Sequence, residues 1–229
     1  STPMTVLAHH LTHPAVVGIE ASAATPLHRL LGLVQHAEAS GLTQFWVTGT
    51  QAPAVAARLG RLTRLTVGAQ VSAPLLAGLD GAAEAARDAV SLLEISGGKA
   101  ELGVQDPEAA ARLQRQLDAR PAATTHRFGG DFFTVSPARE RTGRIGLTVT
   151  VRSARDLRRL AGQVSTIRVE APTAVEAARL VRSARAARPN VSVIVAVPVG
   201  EDFTVWPAAD GILLVGVAAV AEFERALAA

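Results

Sequence analysis

The chain has no cysteine and no tyrosine, and its 229 residues include one lysine, Lys99. The missing thiols exclude a disulfide scaffold, a zinc–thiolate centre, an iron–sulfur cluster and any cysteine nucleophile. Aromatic residues make up 3% of the chain, too few for the stacking platforms that single-stranded nucleic acids need. The isoelectric point of about 10.7 invites a nucleic-acid reading, yet the charge excess is only +3. With so little tyrosine and lysine, almost nothing titrates between histidine and arginine, and a small surplus drives the isoelectric point up. No basic run is interleaved with aromatics, so no nucleic-acid partner is expected. The longest apolar run, Ile212 to Ala221, is about half of a membrane span. Ser1 to Thr12 shows no basic segment followed by an apolar one, and the cytoplasm is the expected compartment. Arginine in place of lysine, with abundant alanine, is the composition of a high-GC, actinobacterial-like genome.

What is present is the makeup of one soluble globular domain: 48% hydrophobic and 19% charged residues, the opposite of a disordered chain. Eight apolar runs read as strands: Ala15–Ala21, Gln44–Thr48, Leu65–Ser72, Lys99–Val104, Ile145–Val151, Ser165–Glu170, Val191–Val199 and Gly211–Val215. Most are continuous rather than alternating, which marks strands covered on both faces. Helical patterns lie between them. Thr25-Pro26 reads as N-cap and first helical residue ahead of Leu27, Leu30, Leu31 and Val34. Asp106-Pro107 repeats the pattern. Thr173 and Glu176 form a capping box, Ser153 can cap Ala154–Ala161, and Val217–Ala228 is the last helix.

This alternation predicts an α/β (β/α)8 TIM barrel spanning residues 1–229 as a single domain. A doubly wound open sheet is the competing architecture, weakened because no G-x-G-x-x-G follows the first strand. The chain is short for a barrel. Residues 118–144 hold no strong helix but can form a small hairpin, Thr125–Val135, across Gly129-Gly130. Glu201–Asp210, between the seventh and eighth strands, is too short for a helix and two loops, so helix seven is expected to be missing. Strand seven is apolar on both faces. Phe203, Val205 and Trp206 are expected to fold over its outer face, or a second chain to cover it.

Histidines offer little chemistry. His9, His10 and His13 precede the first strand and have no partner acid of the zincin type, so no metal site is expected. His28, His36 and His126 read as surface residues. No Ser-His-Asp order or carboxylate pair stands out.

Several segments are familiar in order. Gly41-Leu42-Thr43-Gln44-Phe45-Trp46-Val47 resembles the G-F-x-x-x-W-V of bacterial-luciferase-like proteins. Leu62-Thr63-Arg64-Leu65-Thr66-Val67-Gly68 resembles part of their A-T-x-R-I-R-L-G-T-x-V. Ile95 to Val104 resembles L-S-G-G-R-x-x-L-G-V, Gly129 to Val135 resembles G-x-x-F-x-V, and Asp210 to Leu214 resembles D-G-F-x-L. The resemblance covers nearly the whole chain. It implies a TIM barrel, often dimeric, that binds FMN or F420 and oxidises or reduces a small organic substrate.

Barrel sites form at the C-terminal ends of the strands. Glu20 follows strand one there, as a carboxylate at the mouth or a solvated strand end. After strand two the family carries an acid and histidines, whereas Thr48-Gly49-Thr50-Gln51 has neither. Ser72 and Ala73 are compatible with the family's cis peptide beneath the flavin ring, or with an ordinary turn into Pro74. Asp106 stands near the family's phosphate-binding arginine and also reads as a helix N-cap. Ser153, with Arg152, matches the family's phosphate site, while Ser153 with Asp156 also makes a plain cap. The expectation is therefore an FMN- or F420-dependent oxidoreductase or monooxygenase, with Glu20, Ser72, Ala73, Arg152 and Ser153 toward the cofactor and the catalytic residues unassigned. Its alternative is a degenerate, cofactor-free member serving as a binding or partner subunit, as a homodimer or with a paralogue. A phosphate-using barrel enzyme of another kind would need basic groups near Gly200 and Gly216, and the sequence has none there.

Overall fold

The computed structural model describes residues 15–71, 79–118, 125–128, 131–134, 146–162 and 164–228. In chain order they form β1 (Val16–Ser22), α1 (Leu27–Ala39), β2 (Gln44–Thr48), α2 (Ala52–Gly60), β3 (Thr66–Val71), α3 (Leu79–Ile95), β4 (Ala100–Val104) and α4 (Pro107–Asp118). Then come β5 (Thr125–Phe128), β6 (Asp131–Thr134), β7 (Gly146–Val151), α5 (Ala154–Arg159), β8 (Thr166–Val169), α6 (Ala174–Ala187), β9 (Ser192–Pro198), β10 (Ile212–Val215) and α7 (Val220–Ala228). Eight parallel strands close into a barrel in the order β1-β10-β9-β8-β7-β4-β3-β2, and β5 pairs with β6 as the antiparallel hairpin expected before strand five. The open-sheet alternative is excluded by the closing pair, Gly18 beside Leu213 and Ile19 beside Leu214. No helix among the described residues is long and apolar enough to cross a membrane.

Each strand keeps its expected place within a residue or two because it is covered on both faces. One set of alternate side chains meets the helices: Ile19, Phe45, Val67, Leu102, Val149, Ile167, Val195 and Leu214 are all fully buried in one apolar cluster. Helix limits differ more. α1 starts at Leu27 without a side-chain cap, since Pro26 is still extended at ψ 139°. The last helix starts at Val220 rather than Val217, whose N–H is bound to the Glu20 carbonyl at the end of the barrel. The helices α2 and α3 carry no start signal strong enough to be read. Almost every residue of α2 is buried, so it shows no polar stripe. His36 is half-buried rather than on the surface, edge-on to Phe223 of α7 at 5.3 Å between ring centroids.

No α-helix joins β9 to β10. A single 3-10 turn, Phe203–Val205, takes its place, held by the Asp202 side chain, which accepts from the Thr204 N–H. Phe203 and Trp206 are buried at 1% and 7% exposure, in the same cluster as Val193, Val195 and Val197 of β9. Both are thus buried, as expected of a cover for the strand where the helix is absent. Val205, expected beside them, points to solvent at 67%, because the tight turn sends consecutive side chains in different directions.

The other alternate set faces the barrel interior. Strand register and two-residue alternation sort it into layers of four contributed by alternate strands. The lowest comprises Gly18, Gly68, Thr148 and Ile194. Above it lie Trp46, Gly103, Arg168 and Leu213, and nearest the mouth Glu20, Gln70, Thr150 and Ala196. Two glycines make room for large neighbours. A Cβ on Gly68 would lie 2.2 Å from the Trp46 indole, and one on Gly103 would lie 2.5 Å from the Gln70 amide. Barrel interiors are usually filled with branched apolar side chains. This one is polar in its upper half.

Candidate functional site

The polar half of the barrel is organised by one ion pair. Arg168, in β8, reaches across the interior to Glu20, in β1, with contacts of 3.0 and 2.7 Å. Both side chains are 5% exposed. Arg168 also meets Glu170 at 2.9 Å, and Glu170 meets Arg152 at 2.7 Å. Glu20, Arg168, Glu170 and Arg152 thus form a ladder of alternating charge from the buried layer out to the rim. Burial alone would depress the Arg168 guanidinium, but the carboxylates of Glu20 and Glu170 outweigh it and hold its pKa above the ordinary value. Glu20 is therefore not a free carboxylate at the mouth. It lies inside the barrel and is committed to Arg168.

Around this pair sit polar atoms without a partner. The Gln70 amide nitrogen and oxygen, the Thr150 hydroxyl and Arg168 Nε are all buried and unpaired. Such groups are rare in native interiors, and each needs a reason. Deeper in the barrel, burial pushes the Glu101 carboxyl above its ordinary value, against a weak opposing hydrogen bond from Thr148 at 3.4 Å.

Directly above the layer opens a cavity of about 360 Å³ at the C-terminal ends of β7 to β10. Ala171, Pro172, Pro198 and Val215 give it apolar walls, Arg152 and Glu170 a charged edge, and Ala196 belongs both to the cavity and to the layer beneath. A second cavity, about 550 Å³, lies where helix seven is missing, between the β9–β10 connection and α7. Glu201, Asp202 and Glu222 outnumber Arg225 around it, so it is no anion site.

Of the residues expected at the site, Arg152 and Glu20 are joined through Glu170 and Arg168. Ser153 is the N-cap of α5. Its hydroxyl accepts from the Asp156 N–H at 3.2 Å, and Asp156 in turn accepts from the Arg152 N–H at 2.8 Å. Asp106 caps α4 in the same way, accepting from the N–H groups of Glu108 and Ala109. Arg159 is bound to Glu108 at 2.7 Å and faces Asp106 at 3.7 Å. Ser72 and Ala73 lie outside the described residues, as do His9, His10 and His13. The sequence reading missed Gln70, Thr150 and Arg168. The available signal was a charged or amide side chain at an inward position of an otherwise apolar parallel strand.

No protein-family model matches the chain, and no curated protein does. Solved structures match in fold. The F420-dependent tetrahydromethanopterin reductase of Methanopyrus kandleri superposes with a TM-score of 0.58 at 12% identity, over 82% of this chain and 67% of that one. Riboflavin lyase, solved with modified FMN and riboflavin, gives 0.57 at 13% identity over 79% and 61%. The oxygenating constituent of 3,6-diketocamphane monooxygenase from Pseudomonas putida, in complex with FMN, gives 0.51 at 12% over 82% and 68%. The chain thus spans about two thirds of the length of these proteins, or less. It has the barrel fold of these F420- and FMN-associated proteins, which is the fold that its resemblance to the bacterial-luciferase-like family implies.

Proposed function

We propose that the chain is a luciferase-like oxidoreductase dependent on FMN or F420, acting on a small organic substrate, with the cofactor ring in the 360 Å³ cavity. The observation that carries this reading is the cavity's position, at the C-terminal ends of four strands directly above a polar layer, where barrel enzymes place their chemistry. Its residues suit a planar ring. The small apolar walls at Ala171, Pro172, Pro198 and Val215 can lie against the ring faces, and Glu170 offers an acceptor to its edge. The volume is near the lower end of ligand pockets, roughly 300–1,000 Å³, and takes a ring system rather than a whole nucleotide. When bound, the cofactor supplies the electron-pair transfer. The chain's own contribution is to orient the ring, to exclude water, and to hold a floor that is polar but carries no net charge. At the phosphate end, Arg152 would be shared with Glu170, and the Ser153 hydroxyl is engaged by the Asp156 N–H.

Two features favour a second reading, a binding or partner subunit without turnover, as a homodimer or with a paralogue. The turn after β2 has no acid or histidine to move a proton, and Arg152 is already paired. Titration of the purified protein with FMN and with F420, followed by absorbance at about 370–450 nm and by turnover, separates them. Binding with turnover supports the enzyme. Binding without turnover assigns the second reading. No binding of either cofactor at millimolar concentration refutes the cofactor assignment. Arg152→Ala is expected to weaken cofactor binding by about 1–3 kcal/mol, and an unchanged affinity would remove Arg152 and Ser153 from the site. Sedimentation reads the oligomeric state.

A further inference from the structure

We propose that the uppermost layer of the barrel interior is a binding subsite for a small uncharged molecule carrying an N–H donor beside a carbonyl acceptor, a lactam or other cis-amide. The inference does not rest on the cofactor assignment, and its test uses the chain with the cavity above empty of cofactor. Gln70, Thr150 and Arg168 are 3%, 0% and 4% exposed, yet the Gln70 amide, the Thr150 hydroxyl and Arg168 Nε are all unpartnered. These atoms belong to adjoining inward-facing layers on β3, β7 and β8. A carboxamide with both its nitrogen and its oxygen free is complementary to a cis-amide, which accepts from one atom and donates to the other. The hydroxyl can donate or accept, and Nε donates.

The charges select a neutral ligand. Arg168 is paired with Glu20 and Glu170, and Glu170 with Arg152. The ladder holds as many positive as negative groups. An anion at the free Arg168 Nε would add a third negative charge to a ladder that is already neutral, and a cation would find no unpaired carboxylate, so each would bury a charge without a counter-charge. A neutral amide breaks nothing. The proposed entry is from the cavity, which the fourth member of the layer, the small Ala196, also borders. Gly103 lets the Gln70 side chain lie against β4, where a Cβ would lie 2.5 Å from the amide.

The test uses the full chain and 2-pyrrolidinone as probe, read by the nitrogen–proton signals of the glutamine side chains and by the melting temperature. The Gln70 amide signals should move saturably. N-methyl-2-pyrrolidinone, which lacks the donor, should bind at least tenfold more weakly. Gln70→Leu should abolish binding while melting no lower than the wild type without ligand, because it removes an unpaired buried amide. Thr150→Val should weaken binding several-fold. Undiminished binding in Gln70→Leu, or equal affinity for the N-methyl compound, overturns the proposal. So does a wild type that never saturates, which with a lower-melting Gln70→Leu would mean that the amide only holds structural water. If Gln70→Leu does not fold, the Thr150→Val variant and the N-methyl comparison decide.

Discussion

Replacing Arg168 by methionine should be among the most damaging single substitutions in the protein, and replacing its partner as well should undo the damage. Arg168 and Glu20 are both 5% exposed and meet through two contacts of 3.0 and 2.7 Å. Arg168→Met keeps much of the side-chain volume but leaves the Glu20 carboxylate buried with no cation. Breaking a buried pair from one side costs about 3–5 kcal/mol. For a chain of this size that lowers the melting temperature by roughly 6–20 °C. Glu20→Leu should cost less, about 1–3 kcal/mol, since Arg168 keeps Glu170 at 2.9 Å. The double variant Glu20→Leu/Arg168→Met buries two apolar side chains and no orphan charge, and should return to within about 1 kcal/mol of the wild type or exceed it. The assay is a double-mutant cycle by denaturant unfolding at pH 7. Additive effects of the two single substitutions would show that the residues do not act as a pair and would sink the reasoning.

The burial of Trp206 is tested by contrast: Trp206→Ala should cost about 3–5 kcal/mol in chemical denaturation, while Val205→Ala, two-thirds exposed, should stay within about 0.5 kcal/mol of the wild type. Gly68→Ala should force the Trp46 indole out of its place, destabilise by about 1–3 kcal/mol and shift the tryptophan fluorescence; an unchanged emission would mean that the ring is not packed on Gly68. Glu101 has its pKa raised above the ordinary value of 4.5, so its stability contribution is complete below that value and is lost as the pH rises through the raised one. Glu101→Gln should therefore melt above the wild type at neutral pH, with the two curves converging below about pH 4.5, and a constant gap across the pH range would contradict this.

The strands were legible because burial on both faces writes itself as continuous apolar sequence. Gln44–Thr48 coincides with β2, and the ten-residue stretch after strand seven could not contain a helix whatever its composition. α2 was not legible, since Ala52–Gly60 is buried almost throughout and carries no amphipathic stripe. The candidate site was half legible. Ser153 and Asp106 look the same in sequence whether they cap a helix or receive a phosphate, and the structure places both as caps. The Glu20–Arg168 pair joins residues 148 positions apart, and which strand faces which across a barrel is set by closure and stagger rather than by local pattern. Even so, Arg168 stood among apolar neighbours in Ser165–Glu170, and Thr148 and Thr150 stood at alternate positions of β7. A period of two in polarity inside an apolar strand marks an interior that is not packed like a core.

The ion pair at the centre of the barrel also bears on how the chain reaches this state. Glu20 lies in the first strand and Arg168 in the eighth to be made, and the sheet closes only when β1 finds β10. During folding the Glu20 carboxylate stays hydrated for as long as the barrel is open, so its later dehydration is coupled to closure. Contacts so distant in sequence are slow to form, and until they form, β1 presents an unpaired edge. A contact that waits for closure is expected to form late and to be absent from the rate-limiting species. Weakening it should leave the refolding rate nearly unchanged and hasten unfolding instead, so that the charges inside the barrel act as a latch on the lifetime of the native state.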